Sequence, residues 1–164
     1  MTAYTEPPLT MADIESMPDD GNRYELIDGE LHVSTSPTFF HQSVLSKVQY
    51  RITQYLEQNP IGQVVPGVGI VFDEFNGVIP DLTYVSNERC NDILANGRFT
   101  GSPEIVIEIL SPGIANEKRD RYIERNLYSS RGAHEYWIVD PETRTSEIQR
   151  KRKRAGWRLP FNCK

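Results

Sequence analysis

The 164-residue sequence has few cysteines and no long apolar run. Its two cysteines, Cys90 and Cys163, are far apart and have neither a CxxC pair nor histidines at ligand spacing. This excludes a zinc ribbon and favours a reducing compartment. No apolar stretch approaches the roughly 20 residues that cross a bilayer. The opening residues MTAYTEPPLT lack the basic and apolar regions of a secretion signal. We therefore expect a cytoplasmic protein that does not enter a membrane.

The sequence also lacks an excess of positive charge. A formal net charge of −5 excludes a surface that is basic throughout, so a nucleic-acid partner would need a local patch. The basic segment RKRKR at 150–154 is one candidate, although it can equally be a solvated edge strand whose charges deter aggregation. A hydrophobic fraction of 38% excludes disorder. We expect a single domain over residues 1–164.

The pattern of apolar residues predicts a mixed α/β sheet flanked by helices, with an N-terminal β-hairpin. Two short strand-like segments flank Asp28-Gly29, a pair that tolerates positive φ and suits a two-residue hairpin turn. A capping pattern at Thr10 and Asp13 opens a short helix before the hairpin. Periodicity then predicts, in order, a helix at 38–58, an interrupted strand at 63–72, strands at 79–85 and 103–112, a helix at 116–131, a strand at 135–140 and an outer strand at 146–152.

One carboxylate interrupts the most apolar of these strands. Glu108 lies inside PEIVIEILSP, where a buried charge needs a partner. Asp81 begins the preceding predicted strand, just after Pro80. If the two strands are neighbours, both carboxylates can hold a divalent cation, since Mg²⁺ binds through one or two carboxylates with waters and substrate phosphates. The alternatives are that Asp81 serves the turn after Pro80 and that Glu108 pairs with an arginine.

Several segments together resemble a family of bacterial restriction endonucleases with the restriction-endonuclease-like fold, part of the PD-(D/E)xK nuclease superfamily. The matching segments, which extend over about residues 8–152, are YELIDGEL from position 24, HQ at 41, PDL at 80, EILSP at 108 and EYWIVD at 135. The resemblance implies an αβββαβ core, hydrolysis of DNA phosphodiester bonds with Mg²⁺ or Mn²⁺, and pairing as a homodimer.

The same resemblance assigns roles to particular residues. Asp81 and Glu108 match the two acidic positions of the motif, and they would bind the metal together with the main-chain carbonyl of Ile109. Glu25 matches an acidic residue on the hairpin that can extend the metal site. His41, at the start of the first core helix, can orient that helix or approach a substrate phosphate.

The chain departs from the family pattern at the catalytic lysine. The lysine would stand four residues after Asp120 and four before Tyr128, but position 124 is Glu124. The lysine's charge helps catalysis electrostatically, so Arg121 or Arg125 would have to replace it. Arg121 and Glu124 can instead form an exposed pair. Two hypotheses follow: a Mg²⁺-dependent endodeoxyribonuclease, and a catalytically impaired module that binds nucleic acid or protein.

Overall fold

The computed structural model describes residues 7–111 and 119–151. The helices are α1 (Met11–Glu15), α2 (Phe39–Gln58), α3 (Asn87–Ile93) and α4 (Arg125–Arg131), and Arg119–Glu124 forms a π-helical segment directly before α4. The strands are β1 (Arg23–Ile27), β2 (Glu30–Ser34), β3 (Gly62–Pro66), β4 (Ile70–Asp73), β5 (Asn76–Val78), β6 (Leu82–Ser86), β7 (Leu94–Ala95), β8 (Arg98–Phe99), β9 (Ile105–Ile109), β10 (Glu135–Asp140) and β11 (Thr145–Arg150).

Local sequence signals explain the first elements. Asp13 accepts hydrogen bonds from the backbone and hydroxyl of Thr10, which completes the capping box of α1. Asp28 and Gly29 both have positive φ, at 51° and 76°, and join β1 to β2 as the predicted two-residue turn. The Thr38 side chain caps α2 by accepting from the backbone N–H of His41. The N-terminal hairpin of the sequence prediction is thereby confirmed.

The described strands form two sheets. In the five-stranded sheet the order is β11-β10-β9-β6-β3, with β9 and β10 parallel and the other neighbours antiparallel. The predicted αβββαβ core is present. In chain order it consists of α2, β3, β6, β9, the helix that ends at Arg131, and β10. The second sheet has the order β2-β1-β5-β4-β8-β7 and carries the hairpin. The mixed α/β architecture is confirmed, with two sheets where the sequence suggested one.

Strand β9 separates two clusters of buried side chains. Ile107 and Ile109 pack with α2 on one face. Val106, on the other face, packs in a cluster that includes residues of both sheets, such as Ile70 from β4 and Tyr136 from β10. Because side chains alternate along a strand, Glu108 shares the face of Val106.

Some elements differ from the sequence prediction. The segment 87–99, which lies between the predicted strands at 79–85 and 103–112, forms α3 and the short strands β7 and β8. The Ser86 side chain caps α3 by accepting from the backbone N–H of Arg89. Residues 76–78, which lie between the predicted strands at 63–72 and 79–85, form β5 and pair with both β1 and β4. The predicted helix start at 116, the end of the outer strand at 152 and most of the basic segment lie outside the described residues. Within 7–111 and 119–151, none of the helices is long and apolar enough to span a membrane.

Candidate active site

Asp81 and Glu108 meet across two neighbouring strands. β6 and β9 run antiparallel with Leu82 opposite Ile107, which brings Asp81, just before β6, beside Glu108. The Asp81 backbone N–H donates to Glu108 Oε2 at 3.2 Å. Both residues are buried, with exposures of 6% for Asp81 and 7% for Glu108. The strand pairing that the sequence hypothesis needed is therefore present.

The two oxygens of Asp81 have different surroundings. Oδ2 lies 2.9 Å from His41 Nε2 and accepts from the Ile109 backbone N–H at 2.9 Å. Oδ1 has a longer contact, 3.5 Å, with Nη1 of Arg23. Burial raises the pKa of Asp81. This effect is outweighed by the hydrogen bond and charge of His41, the hydrogen bond from the Ile109 amide and the charge of Arg23, so the pKa is lowered overall. Asp81 is therefore ionised, with Oδ2 fixed by two partners.

The hairpin attaches to the chain directly before Asp81. Arg23 and Glu25 are two residues apart on β1 and therefore point to the same side of the strand. Glu25 Oε1 accepts from the backbone N–H of Ile79 at 2.6 Å, and Arg23 Nη1 donates to the Ile79 carbonyl at 3.1 Å. Both main-chain groups of Ile79 are thus held by β1, and the hairpin forms one wall of the site.

These residues line a pocket of about 420 Å³. Its acidic wall consists of Glu25, Asp81, Glu108, Asp120 and Glu124, all of them buried. The other lining residues are Arg23, Val33, Ser34, Thr35, Ser36, Pro37, Thr38, His41, Ile79, Ile109 and Ser111. A shared pocket with so many carboxylates and few basic groups strongly favours positively charged ligands.

The acidic wall raises the pKa of Glu108. Burial raises its pKa well above the ordinary glutamate value, and the negative charges of Glu124, Asp81, Asp120 and Glu25 raise it further. Its Oε1 atom is buried and has no hydrogen-bond partner among the described residues. A buried carboxylate oxygen without a partner costs free energy, and a proton or a cation would relieve this cost.

The structure places Glu124 in the pocket but not Arg121. Glu124 is 3% exposed and lines the pocket. Arg121 pairs with Glu147 on β11, and its Nη2 lies 3.9 Å from Asp140 Oδ2. Arg125 stacks over the ring of the exposed Tyr122, with its Cζ 5.5 Å from the ring centroid. Neither arginine lines the pocket, so the expectation that one of them takes the position of the lysine is not supported.

The oxygen and nitrogen donors of the pocket suit magnesium better than zinc. Within the described ranges, no three histidine, cysteine or acidic side chains come close enough to enclose a metal ion. Zinc, which requires three or four such ligands, does not fit this arrangement. Magnesium does, because two carboxylates suffice when waters and substrate phosphates complete its coordination. Asp81 and Glu108, with the unpartnered Oε1 of Glu108, satisfy that requirement.

Sequence reasoning missed three contributors to the pocket. Arg23 directly precedes the YELIDGEL segment, and its spacing of two from Glu25 was the available signal. Asp120 was used only as a reference point for position 124. The hydroxyl-rich segment 34–38, from the last residue of β2 to the cap of α2, has no apolar periodicity in the sequence that marks it as part of a site.

Comparison with known proteins first identifies the fold. A crystal structure of a putative nuclease belonging to DUF820 from Anabaena variabilis ATCC 29413 superimposes with a TM-score of 0.72. At 19% sequence identity the match covers 91% of this chain and 83% of that chain. This chain therefore shares the mixed α/β fold of that putative nuclease.

The family follows from the sequence. Residues 11–162 match the model of the Uma2 family, described as putative restriction endonuclease, and the chain belongs to that family. None of the curated proteins matches this chain. The resemblance expected from the quoted motifs is confirmed.

Proposed function

We propose that this protein is a Mg²⁺-dependent endonuclease that hydrolyses DNA phosphodiester bonds. The observation that carries the proposal is the meeting of Asp81 and Glu108 across β6 and β9 at the wall of one pocket. A restriction-endonuclease-like fold with a pair of carboxylates at this position suits phosphodiester chemistry, in which a divalent cation offsets the phosphate charge and makes water more acidic.

The residues of the pocket have different roles in this proposal. Asp81 and Glu108 would hold the cation, with the Ile109 carbonyl as a further oxygen ligand. Glu25, expected from the family resemblance to extend the metal site, would instead add negative charge at the wall of the pocket. The Ile109 N–H and His41 fix Oδ2 of Asp81, so that carboxylate is oriented before a ligand arrives. Burial of both carboxylates keeps the surrounding dielectric low, which strengthens their attraction for a cation.

Cleavage of plasmid DNA tests this proposal. We expect the purified protein to nick or linearise plasmid in Mg²⁺ or Mn²⁺ and to lose at least about 100-fold of that activity in Asp81→Asn and in Glu108→Gln. Glu30→Gln is a matched control, because Glu30 is an exposed carboxylate on the same hairpin as Glu25. Activity that survives in Asp81→Asn would come from a contaminating nuclease and would refute the proposal.

Glu124 favours a second candidate function. A buried carboxylate at the position of the lysine reverses the charge expected there, which suits a nuclease-derived module that binds nucleic acid without cutting it. This candidate predicts no cleavage by the parent protein, cleavage by Glu124→Lys, and DNA affinity that falls steeply with salt. Cleavage by the parent protein would exclude it.

The expected homodimer and the cytoplasmic location belong to the same proposal. Two copies would supply two pockets, one for each strand of a duplex. Sedimentation of the protein with and without duplex DNA measures whether pairs form.

A further inference from the structure

We infer that Arg23 binds the substrate phosphate beside the metal site and supplies the positive charge that the absent lysine would give. The inference rests on the proposed function, because it names the group that recognises the substrate at that same pocket. It assigns a role to a hairpin residue that lies outside the acidic motif.

The contacts of Arg23 leave most of its guanidinium available. Only Nη1 makes contacts with described residues, at 3.1 Å to the Ile79 carbonyl and 3.5 Å to Asp81 Oδ1. Nε and Nη2 make no hydrogen bond or ion pair within 7–111 and 119–151. The side chain is 33% exposed, so a ligand that enters the pocket can reach it. Nη1 therefore anchors the group, while Nε and Nη2 have no hydrogen-bond partner among the described residues.

Arginine suits a phosphate at this position. Its planar fork offers parallel N–H donors that match two phosphate oxygens, and its charge is permanent. Among the described residues that line the pocket, the basic side chains are Arg23 and His41. His41 is buried and engaged with Asp81, which leaves Arg23 as the accessible cation of the two.

The position of Arg23 couples the phosphate to the metal. Its guanidinium is close to Asp81 Oδ1. Since Asp81 Oδ2 already has two hydrogen-bond partners, Oδ1 is the oxygen of Asp81 that can bind a divalent ion. A cation bound by Asp81 would weaken the attraction between Arg23 and Asp81 and release the guanidinium toward a phosphate. Removal of Arg23 should therefore have opposite effects on the two ligands: weaker DNA binding and unchanged or tighter metal binding.

Arg23→Gln and Arg23→Lys test this prediction in the full-length protein. Fluorescence anisotropy with a 20-base-pair duplex in Ca²⁺, with the intactness of the duplex checked on a gel, should show affinity roughly 10- to 100-fold weaker for Arg23→Gln. The slope of log affinity against log salt should fall by about 1. Arg23→Lys should recover only part of the loss, since a lysine lacks the fork. Calorimetric titration with Mn²⁺ alone should show affinity equal to or higher than that of the parent.

The control is Arg98→Gln, which removes the same charge from an arginine paired with Glu15, away from this pocket. We expect this control to change DNA affinity less than about 2-fold. Equal weakening in Arg98→Gln and Arg23→Gln, DNA binding by Arg23→Gln equal to that of the parent, or weaker Mn²⁺ binding in Arg23→Gln would each overturn the inference. A parent protein that binds DNA without cutting it would refute the proposed nuclease activity and still leave the role of Arg23 measurable.

Discussion

At Glu108 the proposed metal binding conflicts with the stability of the metal-free fold. Its pKa is raised by burial and by the neighbouring carboxylates, so the folded protein binds a proton at this site more tightly than the unfolded chain does. The free energy of unfolding therefore falls as the pH rises from the ordinary glutamate value through the raised folded value. As the pH rises through this range, the site acquires a destabilising negative charge that a bound cation would neutralise.

Replacement of Glu108 by glutamine should stabilise the protein in the absence of metal. The amide removes the charge and can still accept from the Asp81 N–H, so we expect a higher melting temperature at pH 8, by about 2–4 °C for each kcal/mol gained, and little change near pH 4. Mg²⁺ should raise the melting temperature of the parent and not that of Glu108→Gln. Circular dichroism melts at both pH values measure this, with Glu30→Gln as control. Equal destabilisation at both pH values would contradict the prediction.

At the scale of elements, the π-helical segment decides which side chains enter the pocket. The sequence predicted a regular helix over these residues, in which Arg121 and Glu124 share a face. In a π-helix each backbone hydrogen bond joins residues that are five positions apart. Residues three positions apart therefore lie on different faces, and residues four or five positions apart lie on the same face. Asp120 and Glu124 accordingly both line the pocket, while Arg121 pairs with Glu147. Apolar periodicity does not distinguish the two windings, so the sequence could not reveal this.

A hydroxyl of β10 holds the π-helical segment in place. Tyr136 donates to the main-chain carbonyl of Asp120 at 2.9 Å, whereas the hydroxyl of Tyr128, which stacks on Tyr136, has no partner among the described residues. Tyr136→Phe should therefore lower the free energy of unfolding by about 1 kcal/mol, while Tyr128→Phe should leave it unchanged or raise it. Urea denaturation of the two variants gives a direct comparison. A larger loss in Tyr128→Phe would mean that its hydroxyl does have a partner.

Other elements were readable from the sequence because their signals are local. Asp28-Gly29 fixes the hairpin through backbone conformation, and the apolar run around Glu108 marks β9. The position of Arg23 was not readable, since it depends on where β1 meets Ile79 across more than 50 residues of chain. Contacts between distant segments are set by tertiary packing, and the periodicity of apolar residues gives no information about them.

At the scale of the whole molecule, the two sheets share one cluster of buried side chains. Ile27 and Ile70 from the hairpin sheet pack with Val106 and Ile138 from the five-stranded sheet. A shared cluster argues that the two sheets fold as one unit, because neither sheet can bury its apolar face alone. The single domain over residues 1–164 stays a prediction.

A single cooperative unfolding transition should follow. Far-ultraviolet circular dichroism and tryptophan fluorescence should give the same midpoint in urea, and the calorimetric enthalpy should equal the van't Hoff enthalpy. The buried core variant Ile138→Ala should shift both midpoints together, by an amount that corresponds to about 2–5 kcal/mol. Two separate midpoints would show that the sheets unfold independently.

The alternation of side chains along β9 also limits where the chain can tolerate an inserted or deleted residue. Val106 and Glu108 occupy one face and Ile107 and Ile109 the other, so a displacement of β9 by a single residue against β6 would turn the carboxylate toward α2 and an isoleucine toward the pocket. An inserted or deleted residue in the segment between β8 and β9 leaves this alternation unchanged. Within the strand it would move Glu108 out of the pocket and expose apolar side chains of the core in the same event, so the candidate site and the fold would be lost together.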